Sequence, residues 1–150
     1  MTRIQKVLLT GKTHTTASRR DGTARSGEDR LDIRLSTPNN PKSVYAFDAV
    51  QAHPTAEQLF AGAWSACYIS AVELVAKDRK VTLPADLSVE IEVDLGMAGS
   101  AYLLQARINV RAPGLAREVA EALAHAADEI CPYSKATRGN IDVSLNVVDA

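Results

Sequence analysis

Glu57-Gln58-Leu59-Phe60-Ala61-Gly62-Ala63-Trp64-Ser65-Ala66-Cys67-Tyr68-Ile69-Ser70-Ala71 is the stretch around which the rest of the chain is organised. No charge occurs from Gln58 to Val72, and charge resumes with Glu73, Lys77, Asp78 and Arg79. Most of these residues are good helix formers, and no proline interrupts the chain between Pro54 and Pro84. Apolar and small residues lie on all sides rather than in one stripe, so a helix here must be wrapped by protein. Its uncharged part spans roughly 22 Å, short of a bilayer, and is punctuated by Gly62, Ser65 and Ser70. Thr55 fits the N-cap, with Gln58 three positions on to complete a capping box. The expectation is a buried central helix with a thiol, Cys67, in its middle. By default a buried cysteine is a small hydrophobe.

Upstream, Ile4 to Thr16 is rich in β-branched residues and reads as a strand. Ser18-Arg19-Arg20-Asp21-Gly22 contains a tight-turn signal, and Leu31-Asp32-Ile33-Arg34-Leu35 alternates as a half-buried strand does. A long connection is expected from Pro38 to Pro54; such loops tend to be functional or to cover another surface. Downstream, Leu87, Val89, Ile91, Val93 and Leu95 alternate with polar residues, and Gly96-Met97-Ala98-Gly99 reads as a turn. Ala101 to Val110 then returns with Leu104, Ala106, Ile108 and Val110 facing inward, a hairpin with one wet face. Leu115 to Ile130 switches to helical spacing, with Leu115, Val119, Ala122, Leu123, Ala126 and Ile130 on one side. Ile141 to Val147 is a last alternating strand. The order predicts an α+β fold of antiparallel strands packed on the central helix. One small sheet cannot cover every face of that helix, so a second copy is expected to cover the rest, as a homodimer.

The 150 residues suit one domain spanning 1–150. With 23% charged residues and a net charge of −1 there is no electrostatic footprint for nucleic acid or an anionic membrane. The N-terminus leads into no long apolar run, so no signal peptide is expected. Two cysteines in such a chain suggest a reducing cytoplasm, where paired thiols are more often catalytic or redox-sensing than structural. No Cys-x-x-Cys is present and His14, His53 and His125 stand apart, so neither a metal nor another cofactor is expected.

Cys131 directly precedes Pro132, which biases it out of helical geometry and places it at a partly exposed helix exit. The polar segment from Pro132 to Asn140 reads as turn-like and as part of a site. A thiol nucleophile works as its thiolate, and burial alone would raise its pKa. A cation must offset that. Arginine suits the task, and a carboxylate such as Glu57 could hold its fork; Glu57 could equally complement the helix dipole.

Glu57-Gln58-Leu59-Phe60-Ala61, with Cys67 ten positions after the glutamate, resembles the first signature of the organic hydroperoxide resistance family in the OsmC-like superfamily. The segment Cys131-Pro132-Tyr133-Ser134-Lys135-Ala136-Thr137-Arg138-Gly139-Asn140-Ile141-Asp142-Val143 is similar to the second, more specific one. Arg20-Asp21-Gly22 and Leu35-Ser36-Thr37-Pro38 also fit, so the match covers nearly the whole chain. It departs at Pro54-Thr55-Ala56, in the preceding loop, which lacks a glycine-rich run, and at Lys135. The resemblance implies an intertwined homodimer of OsmC-like fold that reduces organic hydroperoxides without metal, haem or flavin. By the same resemblance Cys67 is the peroxidatic and Cys131 the resolving thiol, Arg20 activates Cys67 and orients the peroxide, and Glu57 holds Arg20. A lipoylated protein or other dithiol would recycle the disulfide. Phe60, Trp64 and Tyr68 are candidates to line an apolar substrate site. The alternatives are a hydroperoxide-responsive redox sensor or binding protein, and a peroxidase of the OsmC branch.

Overall fold

Thr55 opens the central helix, α1 (Ala56–Asp78), with both halves of the expected capping box. Its hydroxyl accepts the Gln58 backbone N–H at 3.2 Å, and Gln58 Oε1 accepts the Thr55 N–H at 3.0 Å. At the other end Lys80 takes a positive φ of 57° and turns the chain out of the helix. The computed structural model describes residues 3–16, 34–37, 40–47 and 55–150, with side chains described for 3–16 and 55–150 except Asp149. The expected turn at Ser18–Gly22, residues 31–33 of the second strand, and both Arg19 and Arg20 lie outside the described residues.

Among the described residues six strands form one sheet: β1 (Lys6–Thr16), β2 (Arg34–Thr37), β3 (Asn40–Phe47), β4 (Ser88–Ala98), β5 (Ala101–Arg111) and β6 (Asp142–Asp149), in the order β2-β3-β1-β4-β5-β6. Two further helices, α2 (Arg117–Ile130) and α3 (Pro132–Thr137), connect β5 to β6. The α+β expectation holds. The strands pair antiparallel except at one edge, where β6 joins β5 in parallel because the helical crossover returns it in the same direction. α1 packs on β1 and β4 and against α2. Val89, Ile91, Val93, Ile108 and Val110 meet Trp64, Tyr68, Ile69 and Val72 in the core.

Three local expectations change. The connection after Pro38 is not one long loop: residues 40–47 form β3, for which Val44-Tyr45-Ala46-Phe47 supplies the β-branched and aromatic side chains. The hairpin turns at Gly99-Ser100 rather than across Gly96–Gly99, since β4 stays paired through Ala98↔Ala101 and only Gly99 has positive φ, 61°. α2 is rotated from its expected face. Ala120, Leu123, Ala124 and Ala127 are buried, while Val119 and Ile130 are 36% and 39% exposed. Small alanines let α2 approach α1 and β6 more closely than the larger residues of the expected stripe would.

The polar face of the hairpin carries a network of ion pairs, half-buried at its edges and closed over Asp94, which is buried. Arg107 reaches both oxygens of Asp94, at 2.6 and 2.9 Å, and Glu92 at 2.6 Å, while Lys12 bridges Glu90 and Glu92. The Arg107 guanidinium holds the Asp94 carboxyl down at about 2.

α1 is the one helix among the described residues long and apolar enough to cross a membrane, and most of it is buried against the sheet and α2. One stripe of it is left open: Leu59 and Leu74 are 49% and 52% exposed, with Ala63, Cys67 and Ser70 half-buried between them. At steps of three and four these residues follow a single helical face.

Gly11 fixes where β1 crosses the start of α1. A Cβ at Gly11 would stand 2.5 Å from the Gln58 backbone nitrogen and 2.6 Å from the Glu57 carbonyl carbon, and neither is a flexible tip. Gly11→Val is expected to destabilise the protein by about 3 kcal/mol, read as a fall of roughly 10 °C in Tm. An unchanged Tm would mean that β1 and α1 do not approach this closely.

Candidate active site

Two elements meet at the thiols. Cys67 lies midway along α1, and Cys131 occupies the corner where α2 ends and α3 begins. Pro132 sets that corner: Cys131 takes φ −62° and ψ 122°, outside helical geometry as a residue before proline should be. The same proline then opens α3 from its first helical position, so the segment expected to be turn-like is a short helix.

The Cys131 Sγ–H donates to Cys67 Sγ at 3.6 Å, and both cysteines are free. Their exposures are the reverse of the expectation. Cys131 is fully buried, because α2 turns its alanine face and this residue into the core; Cys67 lies on the open stripe of α1 and is half-buried. The accessible sulfur therefore belongs to the central helix and the enclosed one to the corner.

Burial pushes the Cys67 thiol up to about 11, with the Cys131 sulfur adding to the shift and a hydrogen bond to the Tyr133 backbone opposing it. Left to these influences, Cys67 is a thiol at neutral pH. Nucleophilic chemistry needs a cation as well.

Glu57 sits in the first turn of α1, which runs unbroken to Asp78. It is thus roughly 15 Å from Cys67 along the axis, and a single chain does not bring the two together. Arg20 lies outside the described residues. Of the three aromatic candidates, Trp64 and Tyr68 are fully buried and Phe60 is partly exposed, its ring tilted 54° against Trp64 at 5.7 Å. Trp64 Nε1 donates to Ser134 Oγ at 3.2 Å, and Tyr68 donates its hydroxyl to the Ala124 carbonyl at 2.6 Å. Burial pushes the Tyr68 phenol well up, so it remains a donor.

Sequence reasoning put Tyr133 and Ser134 in a segment belonging to the site but gave neither a contact: the Ser134 hydroxyl meets Trp64, and the Tyr133 backbone meets Cys67. Their signal was Pro132, which favours the first position of a helix and would have placed both residues in the turn that faces Cys67. Among the described residues no group of three or more His, Cys, Asp or Glu could hold a metal ion. His125 is exposed, on the opposite side of α2 from Ala124 and Ala127.

The family model for OsmC-like proteins matches residues 48–146. An organic hydroperoxide resistance protein from Xanthomonas axonopodis pv. citri is 36% identical over 144 residues, covering 95% of this chain and 96% of its own. Organic hydroperoxide resistance protein OhrA of Bacillus subtilis is 33% identical, over 87% of this chain and 89% of its own. Among solved structures, OhrB of Bacillus subtilis superposes with a TM-score of 0.60 at 36% identity, covering 83% of this chain and 94% of that one. An organic hydroperoxide resistance protein from Elizabethkingia anophelis gives 0.61 at 27% identity, over 98% and 100%. With a family model over most of its length and relatives above 30% identity along nearly all of it, this chain belongs to the OsmC-like family, in its organic hydroperoxide resistance branch.

Proposed function

We propose that the protein is a thiol peroxidase that reduces organic hydroperoxides to alcohols. The observation that carries this reading is the contact of its two thiols at 3.6 Å, the outer one on the open face of α1 and the inner one buried. The Cys67 thiolate attacks the distal oxygen of ROOH, the O–O bond breaks, and the alkoxide leaves and takes a proton to give ROH. Cys67 is then a sulfenic acid. The Cys131 thiol displaces its hydroxyl, forming the disulfide and releasing water. An external dithiol such as a lipoylated protein restores both thiols by exchange.

Arg20 supplies the cation that Cys67 requires, and Glu57 holds the guanidinium bidentately. The site is completed by a second copy of the chain that seats its central helix on the open stripe from Leu59 to Leu74, so the working unit is a homodimer in a reducing cytoplasm. The apolar surroundings of Cys67, with Phe60 partly exposed beside the stripe, favour alkyl or lipid-like hydroperoxides over hydrogen peroxide.

The test is turnover. With excess dihydrolipoamide, each chain should consume many equivalents of tert-butyl hydroperoxide, hydrogen peroxide should react at least tenfold more slowly, and thioredoxin should be the poorer reductant. Consumption of about one equivalent per chain with every dithiol would mean a redox sensor instead.

A further inference from the structure

The geometry points to two hydrogen-bonded braces, Trp64–Ser134 and Tyr68–Ala124, that hold Cys131 against Cys67, and to Ser134 as a positioning residue for closing the disulfide. On α1, Trp64 lies three residues before Cys67, and Tyr68 follows it directly. On the α2–α3 corner, Ser134 lies three residues after Cys131, and Ala124 seven before it. The two segments run past each other in opposite directions, so one brace lies on each side of the sulfur contact. Both braces are sealed from water: Trp64 and Tyr68 are 0% exposed and Ser134 is 3% exposed.

The corner needs such a restraint. Cys131 has extended backbone, and one residue joins two helices there. On the solvent side Arg138 ties the end of α3 to the Asp128 carbonyl and carboxylate of α2, at 3.0 and 2.8 Å. On the buried side, next to the sulfurs, the docking of both helices falls to the braces. The Tyr68 brace fixes α2 and the Trp64 brace fixes α3, leaving Cys131 no free rotation between them. Closure requires the sulfurs to move from 3.6 Å to about 2.05 Å, a short path only while both helices stay docked. In the step itself the Cys131 sulfur bonds to the Cys67 sulfur, the sulfenic C–S–OH loses its hydroxyl, and the thiol proton leaves with it as water. A corner that swings lengthens the life of the sulfenic acid, and a second hydroperoxide can then oxidise it to the sulfinic acid.

This inference takes its consequence from the peroxidase reading, but closure can be measured without hydroperoxide. Diamide accepts two electrons and two protons from the thiol pair, leaving the disulfide and a hydrazine, and closure is read as loss of two thiols in the intact chain. Ser134→Ala should close about tenfold more slowly than the parent, because a displaced reacting group loses effective molarity steeply. Trp64→Phe removes the same brace from the other side and should slow closure equally, and the double variant should be no slower than either single one. Thr137→Val is the control: that hydroxyl donates only within α3, to the Tyr133 and Ser134 carbonyls, so its loss weakens the helix but not the brace. Parental closure in Ser134→Ala and Trp64→Phe, or equal slowing in Thr137→Val, overturns the inference. With cumene hydroperoxide, Ser134→Ala should also raise the ratio of sulfinic acid to disulfide about tenfold. A parent chain that closes with diamide but never consumes cumene hydroperoxide would sink the peroxidase reading and leave the braces standing.

Discussion

Cys67→Ser should bring hydroperoxide consumption down to the uncatalysed background, whereas Cys131→Ser should retain one equivalent per chain and then stop. A serine hydroxyl cannot form a sulfenic acid, and Cys131, buried at 0% exposure, cannot take over the attack. Without Cys131 the first oxidation still proceeds, since that step needs only the outer thiolate, but no thiol of the chain remains to displace the sulfenic hydroxyl. With no dithiol added, the reaction stops there. Rapid-quench mass spectrometry should find one added oxygen on Cys131→Ser and none on Cys67→Ser. A folded Cys131→Ser that takes up no oxygen would reverse the roles assigned to the two thiols.

The second large effect is a gain of activity from two dead proteins. α1 is one unbroken helix, so Glu57 and Cys67 of a chain are roughly 15 Å apart along it, too far for one arginine to pair with the first and touch the second. In the proposed homodimer an antiparallel partner helix would bring its Glu57 toward this Cys67, so that each site would take Arg20 and Glu57 from the partner. Cys67→Ser and Glu57→Ala homodimers should both be inactive. After subunit exchange, each mixed dimer holds one doubly defective site and one intact site, and an equal mixture should recover about a quarter of parental activity. Exchange demonstrated by mass with no return of activity would require a site built within one chain.

Much of this was legible because it is local. Thr55 and Gln58 announce the start of α1 through their own side chains, and the alternation from Leu87 to Val93 decides which face of β4 is buried. What was not legible depends on how elements lie against one another. The rotation of α2 is set by how closely its alanines let it approach, and hydrophobic spacing that includes Val119 and Ile130 does not encode that distance. The exposures of the two cysteines were exchanged for the same reason: the all-apolar α1 gives no clue as to which stripe stays open. β3 was hidden between prolines, whose turn signal outweighed the short β-rich run from Val44 to Phe47. The pairing of Cys67 with Cys131 came from a resemblance; no periodicity in the sequence points to it.

The parallel pairing of β6 has a consequence for how the molecule matures. The β4–β5 hairpin closes through a two-residue turn and pairs residues close in sequence, whereas β6 can find β5 only after the whole crossover through α2 and α3 has been laid down. β6 is also the last strand of the chain to be synthesised. Cys131 sits in the middle of that crossover, so a nascent chain acquires its central helix and outer thiol before the inner thiol has a place. Under the proposed chemistry, a chain that meets an oxidant before α2 and α3 dock has its outer thiol without the inner one beside it, and a sulfenic acid formed there stays open to further oxidation. On that reading, synthesis during oxidative stress is the moment at which this protein is least protected by its own chemistry.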